Sequence, residues 1–514
     1  MSEIDKLAAD IAVAGTTHVF GITGSGASLL LCDRLEKVGL RVIRTQFEGS
    51  AGIMAGTVGR LTGKPGVALT IKGPGVANLI PGLAVSSYES FPLVALSEAY
   101  PPGSPPSRAH KRLDHATLAA PVTKAVRPLS VKGPGFLEAA ALACAEIPGP
   151  VLLELTGAVL EYAAPLPVAT APACNQAVID RVAAARKPVV IAGTLAIRQG
   201  WGSALARLGV PVFTTAAAKG IIDETLSQAA NVFTFTGLEQ TPEANLLAEA
   251  DLVVGFGLRP AELLTTKPFP CSAVNIEAVA DVPGSDAFKF AGIAAASQAA
   301  DIFAALAGKS WGHDRLSALL SALDAVMLDK FLPGRAFRAI EKRFGRAARL
   351  VLDTGYFCTI GEHVIRAARA DLCLMSAQGR YMGTGLPMAL GAALCDQSVP
   401  TVAVLGDGGI GMYVGELRLA VEHKLPLLLM LMSDGRFGSI ATRAIKDNLT
   451  LAPLTPADPS WLRVMDGFGL PATRVTDEDG LHRALAGWNP ADGPAYVEIA
   501  FPAIPYERMV AGIR

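Results

Sequence analysis

Short apolar runs alternate with stretches of helical periodicity along nearly the whole chain. The pattern predicts a helix over residues 5 to 15, a strand at Thr17-His18-Val19-Phe20-Gly21, a turn at Gly24-Ser25-Gly26 and a second helix. The strand Arg41-Val42-Ile43-Arg44-Thr45 then delivers Gln46-Phe47-Glu48 to a helix start, where the helix dipole favours an ionised Glu48. GVALT, the turn Gly73-Pro74-Gly75, a helix, Pro92 and the strand LVAL follow, and PVLLEL closes the first third.

The stretch from Glu161 to Cys174, EYAAPLPVATAPAC, reads as an Ala/Pro linker. Beyond it PVVIAG, PVFTTAAAKG and DLVVGFG alternate with helical spacers, which predicts a parallel sheet of about five or six strands. Gly193 and Gly257 end strands there, as a nucleotide site requires and as tight turns also explain. A helical connection from Asp314 to Phe331 leads to the last third, with strands RLVLDTG and LCLMS, a small-residue helix after Gly379-Arg380-Tyr381-Met382-Gly383, and VAVLG running into Gly406-Asp407-Gly408-Gly409. A helix is expected from there to about His423, then the strand LLLMLM, a helix from about 460 to 467, and a last strand at Ala495 to Ile499. Pro74 to Pro92 is 18 positions and Asp407 to Pro426 is 19, so the first and last thirds look like two copies of one design, with Pro in one where the other has Asp.

At 514 residues two or three domains are expected, and 51% hydrophobic against 18% charged residues suits buried parallel strands and subunit contacts. A net charge of -1 without a basic run excludes an electrostatic footprint for nucleic acid or an anionic membrane. The opening MSEIDKLAADIAVAG lacks the layout of a secretory signal, and no apolar run reaches membrane-spanning length. Seven scattered cysteines without a C-x-x-C pair read as reduced thiols, and a cytoplasmic protein is expected.

Asp407 and Asp434 end two neighbouring strands on one rim of a sheet, and two carboxylates there need a cation. Gly406 to Gly411 also matches the G-x-G-x-x-G dinucleotide pattern, with Asp434 placed like a ribose-binding acid. Against that reading, Asp407 would repel a pyrophosphate unless a cation stood between, whereas a hard ion such as Mg²⁺ binds carboxylate and phosphate oxygens together.

GDG with a second oxygen ligand 27 positions after its Asp resembles the thiamine diphosphate signature. From end to end the chain is similar to the acetolactate synthase, benzoylformate decarboxylase and pyruvate decarboxylase family, through VFGITGSGASL, FEGSAGIMAGTVGRLTGKPGVAL, GPGVANLIPGLA, AAAKGIIDE, ADLVVGFGLRP and GRYMGTGLPMALGAAL. The resemblance implies an α/β protein of three doubly wound parallel-sheet domains: pyrimidine-binding (1–162), central (175–312) and diphosphate-binding (330–514). It implies a homodimer or homotetramer with the active site at the subunit interface. Thiamine diphosphate and Mg²⁺ are the expected cofactors; FAD in the central domain is compatible with the resemblance but nothing in that sequence demands it.

Carried over by position, Asp407 and Asp434 ligate Mg²⁺ by side chain and Arg436 by its carbonyl, while Gly408 and Gly409 face the diphosphate. Gly355 and Tyr356 join the cofactor site, the carbonyl of Arg380 receives the 4′-amino group, and Met382 props the cofactor in its bent form. Glu48 of a partner subunit hydrogen-bonds the aminopyrimidine and drives cofactor activation. The implied reaction is decarboxylation of a 2-oxo acid with ligation to a second carbonyl, or simple decarboxylation to an aldehyde; a nucleotide-dependent oxidoreductase and a catalytically silent binding subunit are the readings outside that class.

Several positions depart from the family pattern. Asp434 stands where Asn is usual, Phe47 where His commonly precedes the Glu, Ala99 in place of a Gln, and His110-Lys111 in place of Phe-Gln. Ile440 replaces the proton-relay glutamate of pyruvate decarboxylase, and Lys72 replaces Ser or Thr before GPG. Ser25 aligns with the serine that contacts the substrate carboxylate in benzoylformate decarboxylase, and Ser25, Lys72, His110, His115 and Ile440 are the candidate substrate residues. Residues 101 to 115, PPGSPPSRAHKRLDH, read as a loop over the rim, with His110 and His115 as surface or lid histidines.

Overall fold

The computed structural model describes residues 3–101, 103–105, 107–129, 135–156, 169–235, 239–263, 267–282, 289–328, 332–455, 457 and 459–504. The expected linker over 161–168, the boundary at 162, the connection's end at 329–331 and the two chain ends lie outside the described residues.

Three parallel six-stranded sheets make up the α/β fold. The first contains β1 (His18–Gly21), β2 (Arg41–Arg44), β3 (Gly66–Thr70), β4 (Leu93–Glu98), β5 (Ala125–Pro128) and β6 (Pro150–Leu155), in the order β2-β1-β3-β4-β6-β5. The second contains β7 (Pro188–Ala192), β8 (Val212–Thr214), β9 (Ala229–Val232), β10 (Leu252–Phe256), β11 (Ser272–Glu277) and β12 (Ile293–Ala295), in the order β12-β11-β10-β7-β8-β9. The third contains β13 (Arg349–Leu352), β14 (Cys373–Met375), β15 (Thr401–Gly406), β16 (Leu427–Ser433), β17 (Ala472–Val475) and β18 (Ala495–Ala500), in the order β14-β13-β15-β16-β18-β17. Renumbered from their own first strands, the first and third sheets share one order, as the repeated spacing predicts.

The apolar runs form strands because helices cover both sheet faces, so neither face needs polar side chains. Val67, Leu69, Val94 and Leu96 pack on one side of the first sheet with Leu31, Leu35 and Phe136 from the helices. Burying each such large side chain stabilises the fold by about 1.5–3 kcal/mol.

The chain divides into two compact units. One comprises Met1–Val168 with Leu386–Ser398 and Tyr413–Leu425; the other comprises Ala169–Gly385, Val399–Met412 and Pro426–Arg514. In the first unit, helix Glu48–Thr62 crosses helix Pro74–Tyr88 with Gly52 and Gly82 in contact, where a Cβ on Gly52 would lie 2.8 Å from the Gly82 Cα. Only glycine permits that approach.

The expected continuous helix after the GDGG turn is broken. Asp407–Ile410 is one helical turn, and after an irregular stretch a 3-10 turn at Val414–Glu416 precedes helix Leu417–Glu422. The break has a partner: the Glu416 carboxylate accepts hydrogen bonds from Gln46 N (2.9 Å), Phe47 N (3.0 Å) and the Ser50 hydroxyl, which ties down the two residues leading into the helix that Glu48 begins. Among the described residues, no helix is long and apolar enough to cross a membrane.

Candidate active site

β15 and β16 run parallel with Gly406 beside Met432, so Asp407 and Asp434 leave the sheet side by side. Asp407 Oδ2 accepts from Asp434 N at 3.0 Å and Gly435 N at 2.8 Å, which ties the two strand ends together. Asp434 Oδ1 accepts weakly from Arg436 N at 3.3 Å, whereas its Oδ2 is buried with no hydrogen-bond partner among the described residues. Burial raises the affinity of Asp407 for a proton, and burial together with the charge of Asp407 pushes Asp434 up to about 7. The pair is thus strained electrostatically until a cation or a proton enters.

These carboxylates open on a cavity of about 300 Å³. Gly355, Tyr356, Met382, Asp407, Gly408, Gly409, Asp434, Arg436 and Ile440 all line it. The two glycines leave bare backbone where a side chain would collide. A Cβ on Gly408 would meet the Phe437 ring at 2.2 Å and the Met382 sulfur at 3.0 Å; a Cβ on Gly409 would fall 1.9 Å from Asp353 Oδ2. Arg380 does not line this cavity: its guanidinium turns to the buried Glu362 carboxylate and to Cys358 Sγ, and its backbone holds a left-handed φ of 48°.

Asp353 received no role from the sequence. It is fully buried at the end of β13, and its carboxylate accepts from Gly383 N (2.8 Å) and Gly385 N (3.4 Å). Burial pushes it up to about 7. One side chain therefore joins the strand end of β13, the Met382-Gly383 segment and the GDGG turn.

The first unit carries the other candidates. Glu48 is 6% exposed at its helix start, and its Oε2 accepts from Asn78 Nδ2 at 3.1 Å. Its Oε1 lies 3.4 Å from where a Cβ on Gly75 would stand, so the GPG turn packs directly on the acid. On the same rim Ser25 is exposed in its turn, and Lys72 Nζ stands 3.4 Å from Glu98 Oε2. His110 is exposed, and its carbonyl accepts from the Tyr100 hydroxyl at 2.8 Å.

His115 is buried, unlike a surface or lid histidine. Its Nε2 accepts from Gly73 N at 2.9 Å, which puts the ring proton on Nδ1, donated to Glu154 Oε1 at 2.9 Å. Both ring nitrogens are committed to holding the GPG turn, so neither faces a substrate.

Three family descriptions match in chain order. "Thiamine pyrophosphate enzyme, N-terminal TPP binding domain" covers residues 4–118, the central domain of the same enzymes covers 175–282, and their C-terminal TPP binding domain covers 353–499. The chain belongs to the thiamine pyrophosphate enzyme family. Among curated relatives, an acetolactate synthase of Bacillus subtilis is 29% identical over 94% of this chain and 90% of its own length. A catabolic acetolactate synthase of Raoultella terrigena is 27% identical over 96% and 94%. A "probable 2-ketoarginine decarboxylase" of Pseudomonas aeruginosa is 29% identical over 94% and 91%.

In this thiamine pyrophosphate enzyme the GDGG turn lies within the stretch matched by the C-terminal TPP binding domain. The donor set agrees. An unpartnered buried carboxylate oxygen beside a second carboxylate suits a hard cation, and the bare Gly408-Gly409 backbone suits a phosphate. Among the described residues no group of three or more His, Cys, Asp or Glu is arranged for a metal, so a cation held by these two carboxylates would need carbonyl, water or phosphate oxygens as further ligands.

The central sheet has the strand order by which doubly wound folds hold dinucleotides, with its reversal between β7 and β10. That crevice is filled from within. The Glu262 carboxylate accepts from Thr194 N at 2.9 Å, Thr194 Oγ1 at 2.6 Å and Thr215 Oγ1 at 2.7 Å, and lies 3.0 Å from where a Gly193 Cβ would stand. An anion of the protein thus takes the donors that a pyrophosphate would use.

Proposed function

We propose that this enzyme decarboxylates a 2-oxo acid with thiamine diphosphate and Mg²⁺ and ligates the product to a second carbonyl, in the manner named for its acetolactate synthase relatives. The observation that carries the reading is the Asp407–Asp434 pair with its buried unpartnered oxygen, set in one cavity with Gly408, Gly409 and Met382. Bound there, thiamine diphosphate would supply a nucleophilic carbon and an electron sink for the departing CO₂. Asp407, Asp434 and the Arg436 carbonyl would hold the metal, the two glycines would present amides to the diphosphate, and Met382 would support the cofactor's bend.

Glu48 would hold and move a proton at the aminopyrimidine. It is buried, and with Oε2 bound by Asn78, Oε1 would be available for that contact. Glu416 fixes the helix start that presents it. We assign Glu48 to the site of a partner protomer in a homodimer or homotetramer. Support comes from the family resemblance and from Ile440, which lines the cavity yet is 55% exposed, on a helix that also exposes Ile445. Simple decarboxylation is the second reading, favoured by the similarity to a decarboxylase over nearly the whole chain.

The test is CO₂ release from a panel of 2-oxo acids, with products identified with and without an aldehyde or second 2-oxo acid as acceptor. Ligated product and its loss in Glu48→Gln are expected. Absence of CO₂ release from every acid, in protein shown to hold the cofactor, would overturn the reading.

A further inference from the structure

Lys72 is a cation at the carboxyl end of β3, directly before the turn that packs on Glu48. Its side chain is 25% exposed, and among the described residues its ammonium makes one long hydrogen bond, 3.4 Å to Glu98 Oε2, and stands 5.3 Å from the centre of the Tyr100 ring. Glu98 leans on other donors: its Oε1 accepts from Ser28 N at 3.0 Å and Ser28 Oγ at 2.7 Å. Glu98 therefore orients the lysine without saturating its three N–H groups.

More positive charge gathers around it. The Arg112 guanidinium lies over the same Tyr100 ring, 5.8 Å from its centre, and donates to the carbonyls of Ser104 and Pro105, which fastens the loop. The Lys111 carbonyl packs so closely on Gly73 that a Cβ there would stand 2.3 Å from it. The loop SRAHKRLDH thus brings the Lys111 backbone against Gly73 and the Arg112 guanidinium to the ring that Lys72 also faces. Of the acids nearby, Asp114 is turned to Thr117 N and Oγ1 at 3.0 and 2.7 Å, and Glu98 is buried. Two cations, Lys72 and Arg112, thus face the Tyr100 ring, on the rim that also carries Ser25 and the carboxylate of Glu48.

A 2-oxo acid already carries one carboxylate, the group that leaves as CO₂. A lysine held half-open within the same rim is placed to bind a further anion and would repel a cationic tail. We propose that Lys72 is a specificity residue that receives a second anionic group, and that the substrate is a dianionic 2-oxo acid whose tail is a carboxylate, sulfonate or phosphonate. The proposal rests on the 2-oxo acid reading above and names the substrate class of that site.

The experiment uses the full chain loaded with thiamine diphosphate and Mg²⁺. CO₂ release is compared for oxaloacetate, 2-oxoglutarate, sulfopyruvate and phosphonopyruvate against pyruvate, 2-oxobutyrate and phenylglyoxylate, and calorimetry measures binding of malonate and succinate against acetate. At least one dianionic acid should exceed every monoanionic one in kcat/KM. Lys72→Met should cut that preference about tenfold to a hundredfold, as expected for a lost charge-assisted hydrogen bond, mainly through KM. Glu98→Gln, which keeps an acceptor for Ser28 and frees the ammonium, should tighten malonate; Lys72→Gln replaces Lys72→Met if the latter does not fold. Preference for a monoanionic acid, or a Lys72 variant that weakens all acids equally, would overturn the proposal and leave the lysine as an internal neutraliser of Glu98. If no acid releases CO₂ yet malonate binds in a Lys72-dependent manner, the decarboxylase reading falls and the anion site stands.

Discussion

Replacing Gly409 by Ala perturbs the cofactor cradle at one defined contact. The added methyl would lie 1.9 Å from Asp353 Oδ2 and 3.2 Å from Gly383 N. Non-bonded contacts need about 3.5 Å, so the carboxylate must retreat by more than about 1 Å, beyond hydrogen-bond reach of Gly383. A lost charge-assisted hydrogen bond costs about 1.5–3 kcal/mol and overpacking about 1–3 kcal/mol, together about 2.5–6 kcal/mol. The apolar strands β15 and β16 do not depend on this contact, so the cost should fall on the turn and appear as weaker cofactor binding. That corresponds to a rise in Kd of about a hundredfold or more.

Thiamine diphosphate titrated into the cofactor-free protein with Mg²⁺ present, followed by tryptophan fluorescence, reads this directly. Trp461 lies 3.4 Å from where a Gly411 Cβ would stand, close to the same turn. Gly408→Ala is the internal comparison. Its methyl meets the Phe437 ring and the Met382 sulfur, side-chain ends that can swing away, so its effect should be no more than about tenfold. In an Asp353→Ala background the obstacle is gone, and Gly409→Ala should cost far less than in the parent, a coupling a double-mutant cycle measures. A Gly409→Ala Kd within about threefold of the parent, or additive penalties in the cycle, would refute the steric argument.

Asp434 binds a proton more tightly in the folded protein, up to about 7, than in an unfolded chain, so its contribution to stability is present at low pH and is lost as pH rises through about 7. Metal-free protein should therefore lose thermal stability between about pH 5 and pH 8, and saturating Mg²⁺ or Asp434→Asn should make that slope shallower in a scanning calorimeter, the remainder belonging to buried Asp353, also raised to about 7. A metal-free melting temperature that rises over this range would contradict the assignment. Glu416→Ala strips the acceptor from Gln46 N, Phe47 N and Ser50; it should lower stability by about 2–4 kcal/mol in denaturant melts and reduce kcat through Glu48, with Glu416→Gln intermediate. Glu262→Ala should open the central crevice to a flavin or adenine nucleotide in a fluorescence titration, while the parent chain binds neither; tight FAD binding by the parent would show that Glu262 is not a barrier.

The fold was legible because its signals are local. Parallel strands buried on both faces are continuous apolar runs, and each is punctuated by the glycine turn that ends it, so RLVL, VAVLG and LLLMLM could be placed within a residue or two. The cavity candidates were legible for a related reason: Asp407 and Asp434 follow strands that pair directly. Glu416 was not. Its partners Gln46 and Phe47 lie about 370 positions away, and in GELRLA it reads as an ordinary charge within the helix expected to run to about His423. Asp353 ends a strand just as Asp407 does, but nothing local shows that its rim position is closed over by Gly383 and Gly385 while that of Asp407 stays open. His115 misled for the opposite reason: a polar, basic loop suggested exposure, and only the fold brings Gly73 and Glu154 to its two nitrogens.

The two sheets of shared strand order divide the chemistry at matching positions. In the first, the helix after the second strand begins with Glu48, and the turn after the third strand carries Pro74, which has neither a carboxylate nor an N–H to offer a metal or phosphate. In the third, the turn after the third strand carries Asp407, and the helix after the second strand begins only at Gly385, behind a segment that brings Met382 to the cavity. An acid where the other copy has an apolar prop, and a proline where the other has a metal ligand, means that neither rim alone holds a complete set of groups. Exchanging Pro74 for Asp would add a carboxylate with no neighbour equivalent to Asp434, because β4 ends in Glu98, already bound by Ser28. A metal site on the first rim would therefore need changes on two strands at once, so under the proposed function the duplicated scaffold would keep one metal site and leave its second rim to an acid and a lysine.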